Sequence, residues 1–201
     1  MITPPEYPPA PMAGGHLSGA RLASVFLTAD QIAQRVRELG DDISRDYEGR
    51  DLLLISVLKG AVVFMADLAR AIALDVEMDY LAISSYLKEH KDTGNKGVRF
   101  LKDLDHPIKD RDVLVVQDII DTGLTLHFIL RSLGLRGPRS LEVCTLLDRP
   151  HQRLVDISAR YIGFEVPDDF VVGYGFDYRQ YFRNIPHIAH IDIEESGPLF
   201  K

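Results

Sequence analysis

Short runs rich in apolar residues at 51–58, 112–117 and 140–147 read as strands, 76–84 reads as another, and helical spacing follows at 61–73 and from Leu124 onward. A run such as 113–116, Val-Leu-Val-Val, is continuously apolar, as a strand covered on both faces of a parallel sheet must be. Strand and helix in alternation, with polar residues at one strand end after another, predict an α/β fold with a doubly wound, mainly parallel sheet. Ligands of such sheets sit at the carboxyl ends of the strands. Upstream, Thr28 and Gln31 have capping-box spacing, Ile32, Val36 and Leu39 follow at helical intervals, and Gly40 supplies a stop. A second short helix is expected at 42–47. Residues 1–19, crowded with Pro, Gly and Ala and without a period, read as a mobile tail, which leaves 20–201 as a single domain.

The change of period is sharpest at 113–126, where the apolar run meets Gln117, Asp118 and Asp121 and then restarts as a helix after Thr122-Gly123. The first amides of a helix lack carbonyl partners, and a glycine lets the backbone come close to whatever covers them. The amides of residues 121–125, Leu124 among them, with the hydroxyls of Thr122 and Thr125 and the helix dipole, would hold a phosphate monoester. Gln117, Asp118 and Asp121 would repel a bare phosphate but accept from hydroxyl groups. A ribose 5-phosphate carries both ends. The plainer reading is a strand end capped by solvated acids, followed by an ordinary helix entry.

Other strand ends carry similar chemistry. Lys59-Gly60, after the strand at 51–58, offers a cation and a closely approaching amide, suited to a pyrophosphate or simply to a solvated turn. Ser85-Tyr86 opens a polar stretch to Gly97, long enough to be a lid. The segment 161–183 is dense in aromatics. Within it, Phe170 follows Pro167-Asp168-Asp169 as a flat ring able to stack on a purine, Asp177 offers a hard oxygen for magnesium, and Arg183 offers a fork for phosphate oxygens. A hydrophobic hood with surface ions is the alternative. His187, His190 and Asp192 do not form a metal site on this reading, because residues three apart on an alternating strand face opposite ways.

These motifs, in this order, resemble those of the type I phosphoribosyltransferases, and from about residue 28 to 193 the chain resembles the hypoxanthine-guanine enzymes in particular. The resemblance implies purine salvage, transfer of a phosphoribosyl group from phosphoribosyl pyrophosphate to hypoxanthine or guanine, with Mg2+ as cofactor. It implies a hood lobe built from the N- and C-terminal segments and a flexible lid at about 85–97, whose Ser85-Tyr86 pair closes over the pyrophosphate. Lys59 and Gly60 match the first active-site loop, where the peptide before the lysine can be cis. Thr122, Gly123, Leu124 and Thr125 match the phosphate loop, and Asp121 the catalytic group beside N7 of the base. Phe170 matches the stacking residue, Val171 the backbone contact to the base, Asp177 the magnesium ligand and Arg183 the pyrophosphate contact. Two positions depart from the pattern. Gln117-Asp118 stands where the family usually has an acidic pair, and Arg149 stands where it usually has a lysine facing the 6-oxo group, with Arg153 the next basic residue able to take that place.

Composition narrows the partners. A net charge of −7 with scattered basic residues argues against nucleic acid as a partner, and no apolar run approaches the roughly 20 residues of a membrane span. The single cysteine, Cys144, suits a reducing compartment, so a cytoplasmic protein is expected. The resemblance implies a homo-oligomer, dimer or tetramer. A regulator that senses phosphoribosyl pyrophosphate on the same fold, and a xanthine-preferring enzyme, are the alternatives.

Overall fold

A computed structural model describes residues 19–84 and 99–193. The expected lid, with Ser85 and Tyr86, and residues 1–18 of the expected tail lie outside the described residues. By internal contacts the chain divides into two compact units, residues 35–168 and residues 1–34 with 169–201.

The larger unit is built on a six-stranded sheet of β2 (Leu52–Val57), β3 (Val76–Ser84), β4 (Arg99–Lys102), β5 (Asp112–Ile120), β6 (Ser140–Asp148) and β7 (Tyr161–Glu165). Its spatial order is β4-β3-β2-β5-β6-β7. Five strands run parallel and β4 closes one edge antiparallel to β3. The order turns back between β2 and β5, so the crevice of this sheet opens at the carboxyl ends of those two strands.

Alternation along the central strands sends Leu53, Ile55, Val113, Val115 and Val143 into one core, which they share with Leu126, Ile129 and Leu133 of helix α3 (Leu124–Gly134). Helix α2 (Val62–Ala71) packs on β2 and β5 and buries Phe64, Met65 and Leu68. Such runs admit no polar alternation because both faces are covered.

Helix α1 (Ala29–Asp46) begins with the expected capping box: the Thr28 amide donates to Gln31 Oε1 at 2.9 Å and the Gln31 amide to Thr28 Oγ1 at 3.2 Å. It does not stop at Gly40. One helix runs on through the expected second one, and Gly40 is instead a contact, since a Cβ there would stand 2.5 Å from the Ala71 carbonyl oxygen.

The smaller unit holds a three-stranded antiparallel sheet, β1 (Ala20–Leu27), β9 (Ile188–Ile193) and β8 (Val171–Val172), in the order β1-β9-β8. N- and C-terminal segments thus form one lobe, as the sequence resemblance implies, although β1 itself carries no sequence signal of a strand. His190 lies on β9 with its ring edge against Phe26, centroids 5.3 Å apart. No described helix is long and apolar enough to cross a membrane.

Candidate active site

The carboxyl ends of β2 and β5 enclose a cleft of about 260 Å³. Val57, Leu58 and Gly60 line it from the β2 side, and Gln117 to Gly123, Thr125 and Leu126 from the β5 side. Strand β5 continues past the apolar run to Ile120, so the turn that the sequence places at residues 121–123 lies at the end of the strand, and α3 starts at Leu124. Gly123 makes the turn with φ +79°, a conformation costly for other residues. Asp121 and Thr125 are exposed at the mouth, whereas Gly123 is buried beneath them. The cleft therefore presents a carboxylate, two hydroxyls and the start of a helix within one turn, an arrangement suited to an anion carrying hydroxyl groups.

Gln117 and Asp118 both line the cleft. One Asp118 carboxylate oxygen accepts from the Ile119 amide at 2.9 Å. Gln117 is 6 % exposed, and its amide nitrogen is buried without a hydrogen-bond partner among the described residues. A buried donor left unmet costs about 1–3 kcal/mol, so this side chain gains from any rotation that brings its amide to an acceptor.

On the β2 side, the Leu58–Lys59 peptide is cis. Gly60 lines the cleft, while Lys59 and Leu124 are exposed on the same two turns and lie off its wall.

Arg149 follows β6 and donates from Nε to the Pro167 carbonyl at 3.1 Å. Arg153, the alternative for the 6-oxo group, is otherwise engaged: Nη1 donates to the Asp121 carbonyl at 2.8 Å and Nη2 to the Asp148 carboxylate. Arg153 is therefore withdrawn as a base-recognition residue. Its contact with the turn after β5 has no signature in the sequence, because the two lie 32 positions apart with β6 between them.

Within the smaller unit, residues 173–185 fold back on themselves, the Tyr174 amide donating to Ile185 at 2.7 Å and the Gly175 amide to Arg183 at 3.0 Å. Asp177 and Arg183 meet as a result. Arg183 Nη2 lies 2.6 Å from Asp177 Oδ1, Nη1 donates to the Gly175 carbonyl at 2.7 Å, and Asp177 Oδ2 accepts from the Gln180 amide at 2.8 Å. A single hard carboxylate fits a magnesium ion that draws its remaining ligands from water and substrate phosphates. Among the described residues no group of three or more His, Cys, Asp and Glu could hold a metal. Phe170 is 56 % exposed, its ring edge-on to Tyr178 at 6.1 Å, and Val171 is buried on β8.

The phosphoribosyl transferase domain model matches residues 24–179. A hypoxanthine-guanine phosphoribosyltransferase of Mycobacterium avium is 48% identical over 197 residues, covering 95% of this chain and 93% of that one. One of Staphylococcus aureus is 42% identical, covering 86% and 96%. A crystal structure of a hypoxanthine-guanine phosphoribosyltransferase from Bacillus anthracis superposes with a TM-score of 0.80 at 43% identity, over 86% of this chain and 99% of that one.

Proposed function

The chain belongs to the phosphoribosyl transferase family, and from that premise we propose that it is a purine salvage enzyme, converting hypoxanthine or guanine and phosphoribosyl pyrophosphate to IMP or GMP and pyrophosphate. One observation carries the reading: Gln117, Asp118, Asp121, Thr122, Gly123 and Thr125 converge with Gly60 on one cleft at the switch point of the sheet.

The 5-phosphate of the donor rests on the amides and hydroxyls of residues 121–125, and its ribose on Gln117 and Asp118. Lys59, the Gly60 amide and Arg183 bind the pyrophosphate, and Asp177 supplies a carboxylate for magnesium. Magnesium, when bound, offsets charge on the leaving group. As the bond from C1 to pyrophosphate oxygen breaks and the bond to N9 forms, these fixed donors stabilise the developing charge. Asp121 accepts the proton from N7 that the base gives up, which makes N9 the better nucleophile. Phe170 stacks on the purine, Val171 contacts its edge through backbone, and Arg149 donates to the 6-oxo group. Ser85 and Tyr86 contribute contacts to the pyrophosphate. The enzyme works in the cytoplasm as a homo-oligomer, dimer or tetramer.

Parallel turnover of hypoxanthine, guanine, xanthine and adenine, read as pyrophosphate release, tests the reading. Consumption of hypoxanthine and guanine with adenine untouched is expected, and a chain that consumes none of the four, or prefers adenine, overturns it.

A further inference from the structure

Three consecutive carbonyls at the end of β5 are each held from the same side by the segment that follows β6. The Arg149 amide donates to Ile120 at 3.0 Å, the Arg153 guanidinium to Asp121 at 2.8 Å, and the Leu154 amide to Thr122 at 3.0 Å. The same strap packs behind the turn, where a Cβ on Gly123 would stand 3.0 Å from Val155 Cγ2 and 3.1 Å from Arg153 Cδ.

A trans peptide is planar, with its N–H opposed to its C=O. Fixing the carbonyls of Ile120, Asp121 and Thr122 toward the strap therefore fixes the amides of Asp121, Thr122 and Gly123 away from it. Successive peptides of an extended strand point alternately to opposite sides. Three turned the same way make an anion-binding concavity of the kind successive amides form in turns.

Two of these carbonyls are held by main-chain amides. The middle one depends on a side chain. Arg153 is anchored for that task, because its other terminal nitrogen pairs with Asp148, a carboxylate 8 % exposed at the end of β6. We propose that Arg153 is a positioning residue for the phosphate loop: bridging Asp148 to the Asp121 carbonyl, it holds the Thr122 amide toward the cleft before substrate arrives. This rests on the proposed function only in taking the donor's 5-phosphate as the anion on those amides. The gain is pre-organisation, since a loop already aimed loses less freedom on binding.

The test uses the full chain and titration calorimetry with two probes. Ribose 5-phosphate carries the phosphate and sugar alone, and magnesium pyrophosphate carries the leaving group alone. Arg153→Met is expected to weaken ribose 5-phosphate by about tenfold, the loss of one charge-assisted bond, while magnesium pyrophosphate stays within about twofold. Arg153→Lys, which keeps a cation for both oxygens, should recover part of the loss. Should Arg153→Met fail to fold, Arg153→Gln carries the same comparison, its shorter amide being unable to span both partners. Unchanged ribose 5-phosphate affinity, or equal weakening of both probes, overturns the role of Arg153. Wild-type protein that binds ribose 5-phosphate but turns over no purine overturns the proposed function and leaves Arg153 in place, and wild-type protein that binds no ribose 5-phosphate overturns both.

Discussion

Asp121 stands exposed where β5 turns into α3, its backbone carbonyl tied back to Arg153 and its carboxylate at the mouth of the cleft. Asp121→Asn keeps the size of the side chain and leaves that carbonyl bond in place. It should lower kcat by about a hundredfold or more, with donor KM little changed, the scale usual for losing an acid-base group. Steady-state kinetics with a kcat within a few fold of wild type would remove Asp121 from that role. Gln117 invites the opposite experiment. Its buried nitrogen lacks a partner, so Gln117→Glu replaces a donor by an ionised acceptor in a 6 % exposed site. If the side chain accepts from a ribose hydroxyl, charge assistance of about 1 kcal/mol should lower the KM for phosphoribosyl pyrophosphate several fold at saturating magnesium. If it donates instead, KM rises, and constancy at high and low magnesium would take Gln117 off the sugar. The turn at 121–123 and the helix start after it were legible in the sequence because these residues are contiguous and the turn chemistry of Thr-Gly is local. Arg153 was not, since a side chain that grips a distant carbonyl leaves no spacing to read.

At the scale of elements, the strands at 76–84 and 140–147 and the turn at 121–123 stand where the sequence places them, and the runs within 52–57 and 113–116 are the plainest because burial on both faces writes itself into composition. Gly40 shows the opposite case. Glycine after a periodic run has the pattern of a helix stop, yet in α1 it is there because another helix crosses within reach of its missing Cβ. Gly40→Ala improves intrinsic helix propensity by about 1 kcal/mol and would stabilise an isolated helix. Here the added methyl meets backbone of α2, and overpacking of about 1–3 kcal/mol should win. Denaturant melts should show a net loss of stability; a gain would mean that α1 and α2 separate without cost. Strand β1 escaped the sequence for a related reason. Its burial runs irregularly, with register shifts beside Val25, and its partner β9 lies some 165 residues away along the chain.

For the whole molecule, charge placement sets a pH window of stability. Asp46 lies below the ordinary carboxylate range because the Tyr161 hydroxyl donates to it at 2.7 Å and Arg160 lies beside it. Burial would raise Asp79, but amides of Asp105 and Tyr80 and the Lys102 ammonium outweigh it and hold it low. Groups depressed in the folded state contribute stability above their unfolded value and lose it as pH falls through the folded one. Stability should therefore decline below about pH 4, and Asp79→Asn should flatten that decline. At the alkaline end, burial pushes Tyr47 up to about 12, so its contribution is complete below about pH 10 and is lost above it. Tyr47→Phe should remove much of that alkaline loss, and it discards a hydroxyl that has no hydrogen-bond partner among the described residues. Urea melts from pH 3 to pH 11 (roughly spanning both limits) read these slopes, and parallel curves for wild type and variants would refute the assignments. The larger sheet also has a consequence for crowded solution. Its outermost parallel strand, β7, is gripped by Arg35, whose Nε and Nη2 take the carbonyls of Gly163 and Ile162 at 3.0 and 2.8 Å. An open strand is a template on which another chain can nucleate a fibre, and a charged fork seated on its acceptors blunts that template. A cation held against that strand makes pairing with a further chain less favourable, a consequence independent of any substrate.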